Sequence, residues 1–135
     1  MTRMIPLVFC GAALVLQGIP PAAALPARSF ERAEVFATCS GRLAALATRQ
    51  RALRDASAPD SQRLASLFDM LLDATMPDAI AQGVPVGQGT LWRSRGWGEM
   101  AGLLADLDRG AGGHDARRAV QSHIDDCRDL VLPRS

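Results

Sequence analysis

Lysine, asparagine and tyrosine are missing from this chain of 135 residues, and all fifteen of its basic side chains are arginine. Without asparagine there is no acceptor for N-linked glycosylation, and without lysine there is no Walker phosphate loop, although "GVPVGQGT" and "RGAGGH" are rich in glycine. The three missing residue types share codons that begin with two A/T bases. Their joint absence marks a GC-rich coding sequence rather than an arginine surface selected for binding. No CxxC occurs, which argues against a thioredoxin-like redox role, and no CxxCH, which removes covalent c-type haem. No alternating run is long enough for a strand, since Pro85 and the flanking glycines make "GVPVG" a loop. There is no internal repeat and no low-complexity tail.

The amino terminus has the order of a secretory signal. Arg3 is followed by an apolar run from Met4 to Ile19, then by Pro20, Pro21 and three alanines. Cleavage between Ala24 and Leu25 fits the A-x-A pattern best, with a cut after Ala27 as runner-up. An uncleaved anchor is the alternative, but a spanning helix needs about 20 apolar residues. This run is shorter, and Pro6, Gln17 and Gly18 weaken it. Cys10 follows the bulky Val8 and Phe9 where a lipoprotein signal wants small residues, so it is expected to leave with residues 1–24. Residues 25–135 then form one small helical domain, exported to a periplasm or secreted.

That mature chain carries fourteen arginines against fourteen acidic residues, a formal net charge of zero. Nucleic-acid binding normally shows a basic excess, and there is none. Two cysteines remain, Cys39 and Cys127, an even number suited to an oxidising compartment. Each lies on an apolar stripe with helical spacing: Phe36, Cys39, Leu43 and Leu46 near the start, Val120, Ile124, Cys127 and Val131 near the end. Two intervening helices in an up-down-up-down order bring these stripes to one end of a bundle. An intramolecular bridge is then favoured over two buried thiols or a bridge between chains, and the chain-entropy model values it at roughly 4 to 5 kcal/mol.

The periodicity predicts helices over about 29–55, 58–76, 91–108 and 115–131. Ser29 and Ser57 are candidate caps for the first two, Pro59 suits a first turn, and Pro77 is expected to end the second. Gly41 and the alanines near it narrow the first helix, so a neighbour can approach there. "TLWRSRGWGEMAG" predicts either a late start to the third helix near Trp97 or a close helix contact at Gly98 and Gly102. The fold class expected is all-α, a small antiparallel four-helix bundle closed by one disulfide and preceded by a signal peptide.

Candidate chemistry is sparse. His123 stands one turn before Cys127, so the two could hold zinc together with Cys39, or His123 could activate a Cys39 nucleophile, but oxidation of the cysteine pair accounts for both more simply. Asp125, Asp126 and Asp129 read as a solvated helix face, and Ser40 and Ser122 near His123 form too common a grouping to assign. No catalytic residue, metal site or cofactor is assigned. Trp92, Arg93, Arg95 and Trp97 are the candidate partner surface, because tryptophan and arginine are enriched at binding hot spots. The competing reading has both rings covering the open end of the core. The functional expectation is an exported accessory or binding protein acting through an unknown protein partner. The alternatives are a small-ligand carrier or enzyme with a pocket between helices, and, with the signal retained, a subunit of a membrane complex. Once the signal is removed, no membrane contact is expected.

Overall fold

The computed structural model describes residues 25–132, so the expected signal segment, its cleavage point on the Ala24 side and Cys10 lie outside the described residues. Four helices make up almost all of the described chain: α1 (Ser29–Ala52), α2 (Ala58–Ala81), α3 (Gln88–Asp108) and α4 (Gly113–Val131). No strand occurs among the described residues.

The middle of α1 is buried on most sides because it is the hub of the fold: α2 and α3 pack along it extensively, whereas α4 leans on α3 and meets α1 at few points. Residue pairs give the registers. Phe36 faces Phe68 and Ser40 meets Asp69 midway along both helices, while Arg51, near the end of α1, meets Gln62, near the start of α2. Glu34 pairs with Arg95, Arg42 with Glu99 and Arg49 with Asp108, so contacts on α1 and α3 advance together.

Small residues set how closely α1 and α3 approach. A Cβ on Gly41 would lie 2.0 Å from the Arg93 carbonyl oxygen, and one on Gly96 would lie 2.3 Å from that of Thr38. Backbone rests on backbone at both points. The narrow stretch of α1 is thus used as its sequence suggests, but the partner glycine is Gly96. A Cβ on Gly98 or Gly102 would meet no atom within 4 Å, and α3 starts early, at Gln88, so neither expectation for this helix holds.

Two apolar clusters fill the interior. The larger is built around Phe36, Leu43, Phe68, Leu72, Trp92 and Cys127, the smaller around Leu46, Met100, Leu104 and Val120. Phe68 is fully buried, and its ring lies 6.1 Å from that of Phe36 at 42°, a tilted aromatic pair. Burying a side chain of this kind contributes about 1.5 to 3 kcal/mol.

Helix ends explain the other departures from the expected boundaries. α1 stops at Ala52 because Arg54 takes a left-handed φ of 56°, letting Asp55 N–H donate to the Gln50 carbonyl (2.8 Å) and Arg54 N–H to that of Arg51. This is a Schellman closure, and it leaves Leu53 outside the helix and 60% exposed. α2 and α3 close in the same way, at Gly83 and Gly110. α2 does not stop at Pro77; it runs through it, because Ala79, fully buried, and Val84 dock the last turns onto the larger cluster. That docking compensates for the hydrogen bond which proline cannot donate. Neither serine caps its helix through its side chain, although Ser57 stands at the N-cap position of α2. Ser29 lies inside α1 and accepts from Arg32 at 3.0 Å, and before α2 it is Asp55 Oδ1 that accepts from Ser57 N–H at 2.8 Å. That hydrogen bond, ahead of other causes, holds the Asp55 carboxyl below its ordinary range.

Candidate functional site

α4 packs through its first half against α3, with Val120 buried and Ile124 partly buried beside Met100 and Leu104. Its second half is held to α1 at Cys39 and Cys127, whose Cα atoms are 5.6 Å apart and whose sulfurs are at bonding distance, 2.05 Å. Because α4 meets α1 at so few places, a groove of about 540 Å³ remains beside that junction.

The two walls come from two helix stripes. On α1, Glu31, Val35, Thr38 and Arg42 follow one another at steps of three and four, with Glu34 and Cys39 flanking them; on α4 the wall is Asp126, Asp129 and Leu130. Pro26 closes one end. The lining is mostly apolar, with Val35, Cys39 and Leu130 in it, and it includes carboxylates from both helices.

The charges have partners of their own. Arg42 donates to Glu99 Oε2 from both Nε (3.2 Å) and Nη2 (2.8 Å), and Arg95 pairs with Glu34 at 3.3 Å. Glu31 and Arg28 form a looser pair at 3.7 Å. His123 is not part of the lining but lies within electrostatic reach of Arg42, Glu99 and Asp126. Burial depresses its imidazole pKa below the ordinary value; Arg42 adds to this, while Glu99 and Asp126 oppose it.

The residues singled out from the sequence separate. Cys39 and Cys127 come together. Trp92 is buried (7% exposed) in the larger cluster, whereas Trp97 is 46% exposed. Leu25 is exposed at the start of the described chain. Arg93 is exposed and reaches Ser40 and Asp69, and Arg95 is exposed and pairs with Glu34, so of the four residues of the expected partner surface Trp92 alone is buried. His114 lies in the first turn of α4 and is exposed.

A polar tie went unnoticed in the sequence. Ser40 is fully buried, and its hydroxyl donates to Asp69 Oδ1 (2.5 Å) while accepting from Arg93 Nε (2.9 Å). Arg93 also pairs directly with Asp69 at 3.0 Å. One hydroxyl thereby joins α1, α2 and α3. Ser40 projects away from the groove, about 180° around α1 from Glu31, so it is no partner for His123. The only signal was an acidic residue, Asp69, beside the core residue Phe68.

Among the described residues there is no group of three His, Cys, Asp or Glu side chains placed to hold a metal ion, and no helix long and apolar enough to cross a membrane. Comparison of the chain with protein-family models, curated proteins and solved structures returns no match.

Proposed function

We propose that this chain is an exported, disulfide-locked binding protein that carries a small ligand in the groove between α1 and α4. In this reading residues 1–24 are removed as a signal, and the mature domain is an antiparallel, up-down-up-down bundle whose first and last helices are joined by Cys39 and Cys127 in a periplasm or other oxidising compartment. The residue pairs along the helices and the cysteine separation support it. The single observation that carries the reading is the groove itself. Its volume of about 540 Å³ falls inside the range of roughly 300 to 1,000 Å³ typical of small-molecule sites, and an apolar floor with a few polar groups at the edge is the usual composition of such sites.

A neutral apolar fluorophore, N-phenylnaphthylamine, tests it. Saturable binding to one site is expected, lost in Leu130→Trp, which fills the floor, while the helical circular dichroism spectrum is retained. Binding that persists undiminished in Leu130→Trp would place any site elsewhere. Trp97 favours a second reading, a protein partner docking on α3, because it is a half-exposed indole with the exposed Arg93 four residues before it on the same helix face. Capture of a partner by the native protein and its loss with Trp97→Ala would support that reading.

A further inference from the structure

The groove's ligand class can be argued one step further, resting on the binding-site reading above. We infer that it takes an amphiphilic organic cation, a small molecule with one positive head and an alkyl or aryl body. The apolar body fits against Val35, Leu130 and the Cys39 sulfur, and the head lies at the edge, where α1 presents Glu31 and Glu34 and α4 presents Asp126 across the gap. Glu31 and Glu34 each have an arginine beside them, Arg28 at 3.7 Å and Arg95 at 3.3 Å, but pairs this exposed to water are weak, so the acidic excess of the lining, four carboxylates to one arginine, favours a cation over an anion. Arg42, the cation that the lining does contain, sits at the far end of the stripe and gives two hydrogen bonds to Glu99, so its charge is directed to α3 rather than to an incoming anion. The edge groups are half-exposed to water, with Glu31 and Glu34 at 41% and 43%. Their selectivity therefore depends on salt.

Three probes of equal chain length separate charge from apolar fit: decyltrimethylammonium, decanol and decanoate, each titrated calorimetrically below micelle formation into the mature protein. The cation is expected to bind about tenfold or more tightly than decanoate, given that a unit charge at contact distance in near-water dielectric is worth about fivefold and more than one carboxylate contributes. Glu31→Gln combined with Asp126→Asn, isosteric changes at the surface that leave the core untouched, should weaken the cation by about fivefold per carboxylate and leave decanol unchanged. Molar salt should compress the difference between cation and anion. Decanoate binding as tightly as the cation, or a double variant with unaltered preference, overturns the inference. If all three probes bind alike, the groove stands as an apolar site and the choice of a cation fails. If none binds saturably, the groove reading itself fails.

Discussion

Replacing either glycine at the crossing of α1 and α3 by alanine should damage the fold, whereas the same change at Gly98 or Gly102, further along α3, should improve it. At Gly41 the added methyl would stand 2.0 Å from the Arg93 carbonyl oxygen and 2.8 Å from the Trp97 amide nitrogen; at Gly96 it would stand 2.3 Å from the Thr38 oxygen and 3.0 Å from its carbonyl carbon. All of these are backbone atoms, so no rotamer change relieves the contact and the two helices must separate. Inserting a methylene into a packed core costs about 1 to 3 kcal/mol, and a collision with backbone belongs at the upper end. The gain in helix propensity from glycine to alanine, about 1 kcal/mol, offsets part of it. A net loss of about 2 kcal/mol is expected for Gly41→Ala and for Gly96→Ala. In Gly98→Ala and Gly102→Ala nothing lies within 4 Å of the new methyl, so the propensity gain is uncompensated and stability should rise by up to about 1 kcal/mol. Urea unfolding followed by circular dichroism reads all four as midpoint shifts at constant slope. Gly96→Ala matching or exceeding the stability of Gly98→Ala would refute the backbone contact and the register of α1 on α3 with it.

The two tryptophans should behave oppositely: Trp92→Ala is expected to cost about 3 to 5 kcal/mol as a large-to-small core change, and Trp97→Ala less than about 1 kcal/mol, both read by thermal or urea unfolding. Removing the bridge with Cys39→Ala and Cys127→Ala together should cost up to about 4.6 kcal/mol for a separation of 88 residues, and hydrogen exchange should place the loosening in the second half of α4. His123 makes stability fall as the solution is acidified. Its folded pKa is depressed by burial, so the unfolded chain takes up a proton that the folded one resists once the pH drops below the ordinary imidazole value of about 6.5. Above that value the effect is absent, and below the folded pKa it is complete. Unfolding free energies measured across that window should show a shallower slope in His123→Gln than in the native chain.

The helix count and the inward residues of α4 were legible in the sequence because apolar side chains recur there at helical spacing: Ala116, Val120 and Cys127 are buried, and Ile124 and Val131 partly so. The cysteine pair was legible for the same reason, since each lies on its helix's inward stripe. What periodicity does not record is the distance between helices. Both glycine and alanine permit close approach, and only the register chose Gly96 over Gly98 and Gly102. Trp92 and Trp97 looked like one feature, yet five residues turn a helix through about 140° past a full turn, so they could not share a face. The groove left no mark at all. Glu31 and Glu34 lie near the start of α1, Asp126 and Asp129 read as solvated surface, and their meeting depends on α4 diverging from α1. Pro77 misled because its local cost was visible and the docking of Ala79 was not.

The covalent link between α1 and α4 is the central claim, and peptide mapping of the purified protein, alkylated and digested at arginine without reduction, tests it most directly. The predicted result is one species joining residues 33–42, which hold Cys39, to residues 119–128, which hold Cys127. Recovery of the two peptides separately, each alkylated on its cysteine, would contradict it.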